Sequence, residues 1–273
     1  MEKYSVLMSI YKNDNAQFFK EAIESMLTQT IKPDEIVIVE DGELTNELYL
    51  LLDKLRKMYP SIIRRCRNKH NRGLGIALRN GLKVCRNELI VRMDSDDISI
   101  PQRCELQLQY MEKNPEVDIV GGQIEEFIGS VDNIVGKRIV PTEHKELLEY
   151  TKKRCPFNHV SVMFRKSSVL DVGNYIELHY NEDYYLWIRM ALAGKRFGNL
   201  DQTLVKVRVG EDMYRRRGGL AYFKSEEKLQ WYMLRHSMIS PLRYCFNTLI
   251  RFVLQVLTPN RLRGVLFKIL ARR

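Results

Sequence analysis

Within the first 120 residues, short β-branched runs alternate with segments whose apolar residues recur at helical spacing, and few architectures accept that order. The runs are Ser5-Val6-Leu7-Met8-Ser9-Ile10, Glu35-Ile36-Val37-Ile38-Val39, Ile62-Ile63, Glu88-Leu89-Ile90-Val91-Arg92-Met93 and Val117-Asp118-Ile119-Val120. Between them the helical pattern shows at Phe19, Ile23, Met26 and Leu27, at Leu48, Leu51, Leu52 and Leu55, and at Leu74, Ala77, Leu78 and Leu82. Such a βαβα series predicts an α/β fold: a mostly parallel, Rossmann-like sheet with helices on both faces, whose ligands gather at the carboxyl ends of the strands.

Beyond Gly121 the pattern loosens into short strands from Gln123 to Val140 and a helix around Glu143 to Lys153, with no internal repeat or linker. The two halves are therefore expected to share one core. From about Ala221 a helical appendage follows, and within it Arg243, Arg251, Arg261, Arg263, Lys268, Arg272 and Arg273 stand without an acid between Ser240 and the C-terminus. Those seven account for most of the net charge of +10. Large apolar residues are interleaved with them, a mixture suited either to a helix lying in an anionic membrane interface or to a packed helical pair with solvated arginines. No apolar stretch is long enough to span a bilayer, since Leu249 to Leu257 contains Arg251 and Gln255 and ends before Pro259. The N-terminus lacks the pattern of a signal peptide, and the five scattered cysteines suggest neither a disulfide framework nor a zinc site. A reducing, cytoplasmic setting is expected.

Acids cluster at strand ends. Glu40-Asp41-Gly42 closes the second run and Asp94-Ser95-Asp96-Asp97 the fourth. Close carboxylates repel unless neutralised, so Asp94 and Asp96 form a candidate oxygen-ligand pair for Mg²⁺ or Mn²⁺, although aspartates also end strands as turn formers. An EF-hand does not fit, because Ser99 stands where its loop needs glycine. His70-Asn71-Arg72-Gly73-Leu74-Gly75 opens a helix and offers main-chain N–H groups to phosphate, but Leu78 replaces the third glycine of a dinucleotide fingerprint. Asn181-Glu182-Asp183 precedes an apolar stripe and reads by itself as a helix cap with acids at the dipole's positive end. Phe157-Asn158-His159 fits a buried histidine, and Arg208 with Arg215-Arg216-Arg217 fits solvated surface.

Taken together, S-V-L-M-S-I-Y-K-N from Ser5, V-E-D-G from Val39, N-x-G-x-x-x-A-x-x-N-G from Asn71, D-x-D-D from Asp94 and E-D-Y-x-L-W from Glu182 resemble glycosyltransferase family 2, in its bacterial capsule, exopolysaccharide and lipopolysaccharide branch. The similarity runs from about residue 4 to 220. It implies a GT-A catalytic domain over 1–220, divided into a nucleotide-sugar half (1–120) and an acceptor half (121–220), with 221–273 as the basic amphipathic tail. It also implies an inverting transfer of one sugar from a UDP-sugar to a hydroxyl of a lipid-linked saccharide, at the inner face of the cell membrane. By match, Ser9, Ile10 and Tyr11 line the nucleotide pocket, Asp41 accepts the uracil N–H, and Arg79 and Ser95 lie by the donor. Asp94 and Asp96 hold Mn²⁺ or Mg²⁺, Asp183 is the base, and Glu182, His159 and Arg208 serve the acceptor or the diphosphate. Glu40 departs from the family's usual aspartate, and the absence of Q-x-x-R-W argues against processive synthesis.

Two other classes use the same features: a nucleotidyltransferase employing the acids for phosphoryl chemistry, and a nucleic-acid-binding protein employing the positive charge. The second is disfavoured because the surplus is terminal and apolar-rich rather than spread among exposed aromatics.

Overall fold

The computed structural model describes residues 2–210 and 218–258. The strands are β1 (Tyr4–Ile10), β2 (Glu35–Asp41), β3 (Ile63–Asn68), β4 (Leu89–Arg92), β5 (Ile98–Ser99), β6 (Ile119–Phe127), β7 (Ile134–Arg138), β8 (Met163–Arg165) and β9 (Phe197–Arg208). The helices are α1 (Ala16–Leu27), α2 (Asn46–Met58), α3 (Leu74–Val84), α4 (Arg103–Lys113), α5 (His144–Thr151), α6 (Lys166–Asp171), α7 (Glu182–Leu192), α8 (Leu220–Arg235) and α9 (Pro241–Phe252). One sheet in the order β3-β2-β1-β4-β8-β6-β9-β5 runs through the molecule, with β7 paired to β6. The β3-β2-β1-β4 segment is parallel, whereas β8 is antiparallel to both β4 and β6. The sheet thus continues without a break across residue 120.

Every residue of β2 is buried, which explains why its middle, Ile36 to Val39, is continuously apolar instead of alternating. On β1, Val6, Met8 and Ile10 join the core under α1, α2 and α4, while Leu7 joins Val37, Val39 and Ile90 under α3 and α7. Helix α1 starts where Asn15 accepts the main-chain N–H groups of Gln17 and Phe18, at 2.9 and 3.1 Å. Helix α7 is held on two sides. Leu186, Trp187 and Met190 face the sheet, while Tyr184 and Ile188 pack with Leu229, Met233 and Ile239 of the C-terminal pair.

Three features depart from the sequence reading. β9 extends over 12 residues that lacked a clear alternating pattern, because its middle section, Leu200 to Thr203, is only partly buried or exposed. Helix α4 carries Arg103 and Gln107 inside the core, and those polar residues masked its period. Asn181 does not cap α7 with its side chain, which instead donates to Ser225 Oγ of α8 at 3.0 Å.

Gly42 follows β2 with φ of +89°, and a Cβ there would lie 2.6 Å from the main-chain nitrogen of Asn71. The close approach joins the β2 end to the loop before α3. Gly42→Ala should therefore cost at least about 1–3 kcal/mol, read as a lower denaturation midpoint in urea with an unchanged m-value.

Candidate active site

The site is built from the β2 end upward. Asp41, 3% exposed, accepts from Asn68 Nδ2 at 2.8 Å and from the main-chain N–H groups of Arg72 and Gly73 at 3.0 and 2.9 Å. The carboxylate thereby pins the loop that opens α3. Its neighbour Glu40 turns away and accepts from Arg65 Nε at 2.6 Å. At the second residue of α3, Gly75 lies against α7: a Cβ there would sit 3.1 Å from Cβ of Glu182. The N-x-G loop and the E-D pair, more than a hundred residues apart, therefore meet.

At the β4 end, Arg92 is fully buried and one Nη bonds Asp94 Oδ1, while Nε and Nη1 find no hydrogen-bond partner. Asp97 is buried and accepts the main-chain N–H of Arg208 at 2.8 Å. Burial, then the charges of Asp96 and Asp94, hold its carboxyl well above the usual range. Asp96 is exposed, yet the surrounding protein and the Asp94 charge push its carboxyl up to about 6. Asp14, which accepts the Tyr11 N–H at 2.9 Å, is likewise pushed to about 6, chiefly by burial and in part by Asp96 and Asp94. Three acids with elevated proton affinity, Asp14, Asp96 and Asp97, mark a surplus of negative charge. Among the described residues no cluster of three or more potential ligands encloses a metal position. A hard divalent ion is commonly held by one or two carboxylates plus substrate phosphates, however, and Asp94 and Asp96 fit that donor set.

The first turn of α7 supplies the remaining acids. Burial, then Asp183, pushes the Glu182 carboxyl to about 7, and burial raises Asp183 against the pull of the Tyr184 N–H and Arg92. Asp183 Oδ2 accepts the Cys155 thiol at 3.7 Å and lies 4.0 Å from His159 Nδ1. Burial and the Arg92 charge hold His159 well below its ordinary value, so the ring is neutral, and its Nε2 meets Tyr175 Oη at 3.0 Å.

Other expected residues are placed less directly. Ser9 is half-buried and Tyr11 exposed, but the Ile10 side chain belongs to the core and can offer a ligand only its main chain. Ser95 is nearly buried beside Asp14, and Arg79 is exposed on α3. Arg208 is not solvated: its guanidinium stacks on Phe18 and Phe127 and has acceptors at all three nitrogens, Asp96 O (3.1 Å), Gly129 O (3.5 Å) and Glu21 Oε2 (2.6 Å). Arg215, Arg216 and Arg217 lie outside the described residues. Sequence reasoning passed over Arg92, Asp14, Cys155 and Tyr175. Only Arg92 carried a signal, as a charge inside the apolar run Leu89 to Met93.

The profile of "Glycosyl transferase family 2" matches residues 5–173. An uncharacterized glycosyltransferase of Haemophilus influenzae is 41% identical over 261 residues, covering 96% of this chain and 96% of its own. The UDP-Gal:alpha-D-GlcNAc-diphosphoundecaprenol beta-1,3-galactosyltransferase of Escherichia coli is 38% identical over 272 residues, covering 99% and 97%. Among solved structures, S. aureus TarS 1-349 in complex with UDP-GlcNAc superposes with a TM-score of 0.68 at 17% identity, over 98% of this chain and 76% of that one, a likeness of fold.

Glu182 yields a direct test. Its carboxyl binds a proton more tightly folded than unfolded, so the native state loses stability as pH rises from the ordinary 4.5 to about 7. Glutamine cannot ionise. The Tm of Glu182→Gln relative to wild type should accordingly be higher at about pH 8 than at about pH 5, measured by calorimetry, and an equal difference at both would refute the elevated pKa.

Proposed function

The chain belongs to glycosyltransferase family 2, and from that membership we infer that it moves one hexose from a UDP-sugar, with inversion, to a hydroxyl of a lipid-linked saccharide during surface-polysaccharide synthesis. The relative that acts on a diphosphoundecaprenol-linked sugar spans nearly the whole chain and supports this acceptor class. One structural observation carries the reading. A chain of contacts runs from Asp41 to the 72–73 loop and from Gly75 to Glu182, and the Arg92 charge acts on both Asp183 and Asp94, so that four sequence-distant motifs converge on one region.

In this proposal the uridine lies along the β1 and β2 ends, by Ser9, Tyr11, Asp41, Ser95 and Arg79, with Ile10 contributing main chain. Asp94 and Asp96 hold Mn²⁺ or Mg²⁺, which when bound neutralises charge developing on the leaving diphosphate. Arg92 fixes the orientation of Asp94. Arg208 anchors the Asp96 carbonyl through Nε and the Asp97 carboxylate through its own main-chain N–H, and toward the diphosphate it supplies positive charge at short range. Asp183 takes the proton of the acceptor hydroxyl. A carboxylate among many donors is a weak base, whereas Asp183 accepts from the weakly donating Cys155 thiol and is raised by burial. His159, neutral and turned by Tyr175, and Glu182 border the acceptor side. The enzyme works at the inner face of the cell membrane.

Two measurements test the proposal. Calorimetric titration with UDP should show affinity that requires Mn²⁺ or Mg²⁺ in the wild type and loses that requirement, together with most of the affinity, in Asp96→Ala. Equal affinity in EDTA and in Mn²⁺ would remove the metal assignment.

Asp183→Asn preserves size and the capping tendency of the helix start, so folding and UDP affinity should persist while transfer falls by ~10²-fold or more. Transfer at a near wild-type rate would reduce Asp183 to a helix-start acid. Release of pyrophosphate instead of UDP would identify a nucleotidyltransferase.

A further inference from the structure

Helix α9 is amphipathic in the reverse sense of a packed surface helix. Tyr244, Asn247, Arg251 and Gln255, spaced three and four apart and continued into the π turn Val253–Leu257, face the protein. Tyr244 Oη donates to Glu227 at 2.7 Å, Asn247 Nδ2 to Gln230 Oε1 at 2.8 Å and Lys152 O at 3.0 Å, and Arg251 pairs with Glu226. On the opposite side stand Leu242 (83% exposed), Phe246 (62%), Leu249 (63%), Val253 (43%) and Leu257 (62%). A helix that needed only to pack would turn this stripe inward. Its polar face is instead bonded to α8 and to Lys152, which leaves the apolar stripe outward.

The bordering surface indicates what covers it. On α8, Lys224, Lys228, Trp231 and Arg235 recur at spacings of four, three and four and are exposed, and Trp231 meets the Tyr244 ring edge-on at 5.9 Å between centroids. The two acids of α8, Glu226 and Glu227, are drawn into the helix seam by Arg251 and Tyr244. An outward surface of leucines and phenylalanine, rimmed by cations and a tryptophan, with acids withdrawn, complements an anionic bilayer. No helix among the described residues is long and apolar enough to cross one.

We propose that α9 lies in the plane of an anionic lipid surface, inserting Leu242, Phe246, Leu249, Val253 and Leu257 among the acyl chains, while Lys224, Lys228 and Arg235 contact the headgroups. This deepens the membrane location inferred above and rests on it. Arg261, Arg263, Lys268, Arg272 and Arg273 lie outside the described residues and are not required by it.

Co-sedimentation of the full chain with phosphatidylcholine vesicles, with and without phosphatidylglycerol, tests the assignment. Wild type should bind the anionic vesicles preferentially and be released by salt. A double variant, Phe246→Asp with Leu249→Asp, should lose most of that binding. Lys224→Gln, Lys228→Gln and Arg235→Gln combined should weaken it by about a hundredfold, at about 1 kcal/mol per cation. Equal binding of neutral vesicles, or undiminished binding by the double variant, would overturn the proposal. So would a lipid-free wild-type dimer that this variant dissociates, since a second copy would then cover the stripe. UDP release from a UDP-sugar in solution is followed in parallel. Its loss in the wild type with vesicle binding intact would fail the glycosyl-transfer reading and not this one.

Discussion

A single buried cation sets the terms for the rest of the site. Arg92 ends β4 with no exposure, and taking a guanidinium out of water costs several kcal/mol or more unless opposite charge repays it. Asp94 does so directly, and Asp96, Asp97, Glu182 and Asp183 all lie within range of its field. Burial tends to discharge the arginine, but Asp94 above all, with Tyr175 and Asp97, holds its pKa above the ordinary value. The dependence is mutual. Without the cation, carboxylates at the end of β4 and the start of α7 would face one another with little to balance them, and protonation would quench the groups proposed for the chemistry.

The backbone around Arg92 is built to carry that charge. Arg103 of α4, also buried, donates to the main-chain carbonyls of Arg92 and Val162, so the end of β4 and the start of β8 are clamped from behind. Burial, and to a lesser degree the Arg92 charge, push its own pKa down to about 10, still far above neutrality. Gln107, one turn later, accepts from Arg103 and donates to Val120 and Ser161 carbonyls. A polar network of this kind fixes a strand end more sharply than apolar packing alone, and the acids proposed to hold the metal follow only a few residues later.

This pattern explains what could be read in the sequence. The strands β1, β2 and β4 were legible because a parallel sheet buried on both faces demands continuous apolar runs, and the acids closing β2 and β4 stood out against them. The metal role proposed for Asp94 and Asp96 came from acids crowded at one strand end together with motif resemblance, and the role proposed for Asp183 from the resemblance alone, since by itself its position reads as a helix start. Arg92 was visible only as an oddity, since its value depends on Glu182 and Asp183, acids brought near by α3 and α7 from ninety residues away. Arg208 reads as surface in one dimension because the two phenylalanines that sandwich it, Phe18 and Phe127, come from α1 and β6. Asn181 suggested a cap because capping is local, whereas its partner, Ser225, comes from a helix the spacing could not position.

That last bond links chemistry to location. Ser225 Oγ accepts from Asn181 Nδ2 and itself donates to the His179 carbonyl at 2.6 Å, so α8 grips the segment entering α7 immediately before Glu182 and Asp183. Apolar contacts of Leu229 and Met233 with Tyr184 and Ile188 stiffen the same junction. The helix pair proposed to meet lipid is thus bonded to the turn carrying the proposed base through side chains that are buried and not through an exposed linker. An acceptor hydroxyl on a lipid-linked sugar stands at a height above the bilayer set by its own length. A rigid mount between the lipid-facing helices and Asp183 would present the base at a constant height and tilt, reducing the orientational freedom to be lost when the two groups meet.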